Sequence, residues 1–364
     1  YEIASCLVGS EMCIRDRLQK NFGEEHIREL QGISHRDPVL LERAVYAFGL
    51  LEALAKVGMP FIFKGGTCLM LLMEHPRRLS TDIDIIVEPE TNLDKYLDRA
   101  SEIFPFKDVE EQKRIGKNNI EKRHFKFTYD SPINNRPFYI LLDVLFEHNH
   151  YSELVQKEIQ NDLLLTEPEY LTVSLPSANC ILADKLTAFA PHTTGIPLNS
   201  GKDMEVMKQF YDVSSLLEIF TDFQQIGPTY RKIAQAEIAY RGIESNSKDC
   251  LWDTFEAALC IASRGKVSKG EYPIYVKGIR ELRSHIYAEN YTPEIAAGRA
   301  AKIMYMAACL LSDTEYLRVN DYAEFLDMKI EQEKLASLRY MRKVNPESYA
   351  YVIKTDRLLT ELQG

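Results

Sequence analysis

Between residues 37 and 57 apolar side chains return every three to four positions (Pro38, Leu41, Val45, Phe48, Leu51, Leu54) behind an Asp-Pro pair, the pattern of an amphipathic helix with a defined start. Gly58 and Pro60 lead into a short apolar strand at Phe61, Ile62 and Phe63, followed by a turn at Gly65 and Gly66 and a helix opened by Thr67. The next run alternates: Asp82 and Asp84 share one face of a strand, while Ile83, Ile85 and Val87 fill the other. A helix is predicted over 93–103. Two β-rich runs, 124–129 and 138–146, flank an Asp-Ser-Pro-Ile-Asn-Asn turn and predict an antiparallel pair. A last strand over 171–175 precedes a helix from Pro176-Ser177 to Ala190, with Ile181, Leu182, Leu186 and Phe189 as its apolar stripe. The Pro/Gly/Ser-rich stretch PHTTGIPLNSGK marks a domain boundary, and beyond it the period is helical: 202–219, 252–264, 275–287, 293–311, 316–327, and from 331 onward.

The chain has 364 residues, room for two domains, with 45% hydrophobic and 27% charged side chains, ordinary values for a globular protein. No apolar run is read as a membrane span and no charged-then-apolar leader is seen, so no membrane association is expected. Seven cysteines without a CxxC pair read as buried or free thiols, which places the expected compartment in the cytoplasm. A net charge of −10 argues against a protein that coats nucleic acid through a broad basic surface, though a local basic groove is compatible with it. Residues 5–17, SCLVGSEMCIRDR, look like translated sequencing-adaptor read-through, and 1–17 are set aside as a non-native segment.

The chemistry concentrates in FIFKGGTCLMLLMEHPRRLSTDIDIIV, residues 61–87. Two carboxylates on one strand face repel unless a cation lies between them, and oxygen-only ligands favour Mg²⁺ or Mn²⁺. Gly65 and Gly66 allow a ligand close to the backbone, Thr67 can cap the helix or donate to an oxyanion, and a helix N-terminus attracts phosphate. Asp143 stands alone among the apolar residues of FYILLDVLF, where an unpaired charge would cost several kcal/mol, so it needs a metal or a partner. Lys208 and Asp212, four apart on the helix over 202–219, read by spacing alone as an ordinary intrahelical ion pair.

Strand, GG[ST] helix and DxD strand in succession resemble the first motif of the DNA polymerase β nucleotidyltransferase superfamily. KGGT followed by RxSTDID (Arg78, Ser80, Thr81, Asp82, Ile83, Asp84) looks like the AbiEii/AbiGii toxin branch, to which the MenT toxins also belong. The resemblance implies an α+β fold: a mixed nucleotidyltransferase sheet flanked by helices over 18–195, then a helical domain over 196–364 that contributes to the active-site cleft. It further implies metal ions on Asp82, Asp84 and Asp143, with Asp143 the third carboxylate and general base, Lys64 a catalytic residue that with Ser80 and Lys185 stabilises the triphosphate or the transition-state charge, and nucleotide contacts from Gly65, Gly66 and Thr67. The passage ADKLTAFAPHTTGIP through KQFYDVSSL is similar to the family's second block, so Lys185, Lys208 and Asp212 are carried into the site, with Lys202-Asp203 a second-ranked register.

The activity this resemblance implies is NMP transfer from an NTP to RNA, with the tRNA 3′ end as acceptor, by the toxin of a type IV toxin–antitoxin or abortive-infection system. Its antitoxin would be encoded nearby, without direct binding. The alternatives are transfer to a protein or small molecule, and a non-catalytic nucleotide-binding module. Lys122, Arg123 and Lys126 on the hairpin, and Arg339, Tyr340, Arg342 and Lys343, could touch RNA, but solvated faces are the favoured reading. His75, His124, His148, His150 and His192 are read as surface or packing residues.

Overall fold

Asp37 opens the first long helix as its spacing suggests. Its carboxylate accepts from the backbone N–H of Val39 and Leu40, with Pro38 in the first turn. In the computed structural model, which describes residues 19–73, 75–112, 122–166, 168–287 and 289–363, this helix is α2 (Pro38–Lys56), preceded by α1 (Glu24–Ser34). The segment 1–17 lies outside the described residues. There follow β1 (Ile62–Lys64), α3 (Gly65–Leu72), β2 (Asp82–Val87), α4 (Asp94–Ser101), β3 (Phe106–Glu111), β4 (Lys122–Ser131), β5 (Arg136–Phe146), β6 (Leu154–Glu158) and β7 (Thr172–Pro176). The chain continues through α5 (Ala178–Ala188), α6 (Asp203–Ile219), α7 (Phe223–Arg241), α8 (Ser247–Ala262), α9 (Tyr272–Leu282), α10 (Pro293–Ser312), the single turn α11 (Met341–Val344) and α12 (Pro346–Gln363). Two compact units result. One takes in Tyr1–Asn149, Leu154–Pro176 and Ser284–Glu289, and the other His150–Glu153, Ser177–Arg283 and Asn290–Gly364. The stretch 191–202 thus falls inside the second unit, and the units divide at Pro176 and Ser177.

Among the described residues the first unit carries a five-stranded mixed sheet in the order β1-β2-β5-β4-β3, in which only β2 and β5 run parallel, and the separate pair β6-β7. The expected strand at 171–175 is therefore real but belongs to the two-stranded sheet. Alternation sorts the main sheet: Phe63, Ile83, Ile85, Phe125, Phe127, Leu142 and Val144 are buried, while Asp82, Asp84, His124 and Asp143 are half-buried on the other face. Helix α2 is locked to the β4-β5 hairpin by a fully buried carboxylate. Glu42 accepts from the Tyr129 hydroxyl (2.9 Å), the Ser131 hydroxyl (2.8 Å) and the Ile133 N–H (3.1 Å), and Tyr46 stacks on Tyr129. Burial and then Glu42 push the Tyr129 hydroxyl well above its ordinary pKa.

In the second unit α10 packs against α8 and α12, and α5 against α6 and α7. Contrary to the sequence expectation, α10 is long and apolar enough to cross a membrane, but 78% of its apolar window is buried, as in a core helix. His192 anchors the Pro/Gly stretch. Its Nδ1 meets Asp253 at 2.7 Å and its Nε2 meets Glu271 at 2.9 Å. Burial alone would lower the imidazole pKa, but the two carboxylates outweigh it and raise it.

Three helix predictions are corrected. The helix expected over 275–287 ends at Leu282, because the chain beyond it joins the first unit: Arg78 bridges Ile286, Leu79 N–H donates to His285 O (2.7 Å) and Tyr287 N–H to Arg77 O (2.9 Å). The helix expected over 316–327 reduces to a short 3₁₀ turn at Ala323–Phe325. There the N–H groups of Leu317 and Val319 go to the Tyr305 and Tyr351 hydroxyls instead of to carbonyls one turn back. The helix from 331 is broken into the 3₁₀ segment Glu333–Tyr340, α11 and α12, with Asp356 accepting from Glu331 and Gln332 N–H.

Burial also lifts the Glu52 carboxyl on α2 to about 7, only partly offset by Lys56. The unfolded chain releases this proton first, so the folded state loses stability as pH rises from about 4.5 towards 7. Glu52→Gln is expected to stabilise the protein at pH 8 by roughly 1–3 kcal/mol, with the gain vanishing near pH 4. Denaturant midpoints of parent and variant across that range provide the check.

Candidate active site

The parallel register of β2 and β5 sets Asp84 directly beside Asp143, with Asp82 two residues earlier on the same face. Lys64 on β1 is the cross-strand partner of Asp84, and His124 on β4 that of Asp143. One row across four strands therefore reads Lys64, Asp84, Asp143, His124. The outer carboxylates are engaged: Asp82 Oδ1 accepts from Arg43 Nη2 at 3.2 Å, and Asp143 Oδ1 lies 2.7 Å from His124 Nδ1. The Arg43 guanidinium also lies over the Phe138 ring, 5.6 Å from its centroid.

The turn before α3 is shaped by what lies against it. Gly65 has φ +82°, and a Cβ there would stand 2.0 Å from Asp84 Oδ2, so the carboxylate rests where any other residue would put its side chain. A Cβ on Gly66 would stand 2.5 Å from Ser80 Oγ and 2.8 Å from the buried guanidinium of Arg78. Glycine at both positions brings Asp84, Ser80 and Arg78 onto the first turn of α3, whose free N–H groups carry partial positive charge. The helix begins at Gly65 with Lys64 as N-cap and no side-chain cap. The helix therefore opens before Thr67 and not at it, and Thr67 is fully buried and donates to Asp82 O at 2.6 Å, fastening α3 to β2.

In the second unit Lys185 on α5 and Asp212 on α6 form a buried ion pair, Nζ to Oδ2 3.0 Å, and Lys185 also donates to Gln209 Oε1 at 2.9 Å. One partner of Asp212 is thus on the neighbouring helix. Lys208 is half-buried on α6. Asp203, of the second-ranked register, accepts from Lys277 Nζ at 2.6 Å and fastens α6 to α9.

Arg43, Arg78 and His124 lie against Asp82, Gly66 and Asp143, a placement that the sequence reading does not assign to them. Of the RNA candidates, Arg123 is held by Glu111 and Asp94, Arg342 pairs with Asp327, and Tyr340 donates to Ala262 O. Lys126 lies over the Tyr139 ring.

The donor set fits a hard divalent cation in kind, three carboxylates on one sheet face, two of them register partners. Asp82 turns to Arg43 and Asp143 to His124, and among the described residues no three acidic, histidine or cysteine side chains are already gathered around one point.

A glycine turn into a helix, answered by a DxD strand and a third aspartate on the adjacent strand of a mixed sheet, defines a nucleotidyltransferase fold. The chain belongs to the nucleotidyl transferase AbiEii toxin family of type IV toxin–antitoxin systems, whose profile matches residues 49–298. Two solved structures show a distant likeness. JHP933 from Helicobacter pylori is 14% identical, with 75% of this chain and 93% of that one covered and a TM-score of 0.42. A protein from H. pylori described as a candidate nucleotidyltransferase is also 14% identical, with 76% and 99% covered and a TM-score of 0.44. No curated protein matches the chain significantly.

The clash geometry separates two glycines of positive φ. Gly58→Ala (φ +70°), with nothing within 4 Å, should cost about 1–2 kcal/mol from the backbone alone. Gly65→Ala, which must also displace Asp84, should cost at least about 1 kcal/mol more. Urea midpoints of the two variants make the comparison.

Proposed function

We propose that this protein transfers a nucleoside monophosphate from an NTP to an RNA acceptor, with the tRNA 3′ end the first candidate, as the cytoplasmic toxin of a bacterial type IV system serving phage defence. Family membership carries nucleotidyl transfer, a nucleotide substrate and a partner antitoxin. The RNA acceptor, and an antitoxin that acts without binding the toxin, are this reading's own additions. The observation that supports catalysis most is the Asp84–Asp143 register, with Asp82 alongside and the glycine turn packed against Asp84.

Asp82, Asp84 and Asp143 would hold Mg²⁺ or Mn²⁺, which supplies Lewis-acid stabilisation of charge on the phosphates and lowers the pKa of the attacking hydroxyl. The chain's own residues do the rest. The backbone N–H groups at Gly65 and Gly66, with the Ser80 hydroxyl and the Lys64 ammonium, receive the polyphosphate. Asp143 accepts the proton of the acceptor hydroxyl as its oxygen attacks the α-phosphorus. The bond to the β-phosphate oxygen breaks, and pyrophosphate leaves. Lys185, Lys208 and Asp212 are proposed as further nucleotide contacts on the family resemblance.

Incubation of the full chain with labelled NTPs, Mg²⁺ and either total RNA or protein extract tests this. Label is expected on RNA. Asp82→Ala, Asp84→Ala and Asp143→Asn should each reduce it at least about 100-fold while leaving the fold intact. Label on protein or small molecules would move the acceptor, and label on nothing would leave a nucleotide-binding module. Undiminished transfer by the Asp variants would place the chemistry elsewhere.

A further inference from the structure

We infer that His124 is a positioning residue for Asp143, holding one carboxylate oxygen so that the other is presented to the cation and acceptor side of the site. The inference rests on the nucleotidyl-transfer reading of the three aspartates.

The two residues are direct cross-strand partners in β4 and β5, and the Nδ1 to Oδ1 distance is 2.7 Å. Such a contact to a carboxylate requires the N–H at Nδ1, so the imidazole donates. His124 Nε2 and Asp143 Oδ2 have no hydrogen-bond partner among the described residues, so the ring's single polar contact is the one it makes to Asp143. The histidine is also rigidly placed. Its side chain is 17% exposed, its carbonyl accepts from Gln112 N–H at 2.7 Å, and its neighbour Phe125 is buried in the core. The need for such a brace comes from Asp84, set beside Asp143 in register. Like charge at strand spacing drives a freely rotating carboxylate away from its neighbour, whereas a charge-assisted hydrogen bond from the opposite strand holds it to one orientation. Asp82 has a different arrangement, a bond from the long and flexible Arg43, which supplies charge but less geometric constraint.

The test uses the full chain and three readouts: Mn²⁺ affinity by electron paramagnetic resonance without nucleotide, the separate kcat and KM of transfer, and thermal melting. His124→Leu should weaken Mn²⁺ binding and lower kcat, each by about 10- to 100-fold, with the KM for NTP within about twofold of the parent. His124→Asn, whose amide can place an N–H near the lost Nδ1, should recover most of both. In an Asp143→Asn background His124→Leu should have no further effect on Mn²⁺ affinity. A His124→Leu variant with parental Mn²⁺ affinity and kcat overturns the assignment, as does an Asn variant that folds yet is impaired as severely as Leu. If Asp82→Ala loses Mn²⁺ while His124→Leu does not, only the histidine assignment falls. A parent chain that neither binds Mn²⁺ nor transfers a nucleotide overturns the aspartate reading and this inference with it.

Discussion

Two carboxylates held side by side across a parallel strand pair are the constraint around which the first unit is arranged. Strands lie about 4.8 Å apart, a spacing at which Asp84 and Asp143 repel unless positive charge or donors surround them. The surroundings answer this. Lys64 continues the row on one side, His124 closes it on the other, Arg43 reaches Asp82 from α2, and the first turn of α3 lies against Asp84. Repulsion between acids is ordinarily a defect to be removed. Here the fold retains it and distributes the compensation over four separate elements, an arrangement in keeping with the cation and polyanion site proposed above.

Much of this is legible in the chain. The alternation at 82–87 and the lone acid of FYILLDVLF put Asp82, Asp84 and Asp143 on the open face, and the structure agrees because period two leaves a strand no other choice when one side is core. The pairing of His124 is legible too. Counting outward from the turn, where Ser131 meets Arg136, brings His124 opposite Asp143, a signal of strand register that metal-ligand spacing does not contain. Arg43 has no comparable signal, since it sits on a helix whose facing partner depends on packing. Arg78 is visible only as a letter of the motif, because its burial against Gly66 is a matter of three-dimensional approach.

The failures share a cause. The strands β3 and β6 and the helices α1 and α7 have apolar patterns too weak to read alone, and the spurious helix over 316–327 loses its backbone donors to tyrosine hydroxyls from sequence-distant helices. The end of α9 is the clearest case. Residues 284–287 leave the helical period to pair with 77–79, immediately before Ser80 and Asp82, so some 200 positions of chain separate two segments that the site's approach strand needs together. Local periodicity carries no information about such a clasp.

The buried acid at position 42 has a meaning beyond stability. Because it is adjacent in sequence to Arg43, the three donors that pin it beneath the hairpin also fix the azimuth of that turn of α2, and with it the arc through which the guanidinium can swing. The loop at 131–133 is remote from the aspartates, yet it acts as the stop against which the arginine's aim is set. A lesion in that loop would thus reach the candidate site mechanically, as a misdirected guanidinium, without altering any of the three aspartates.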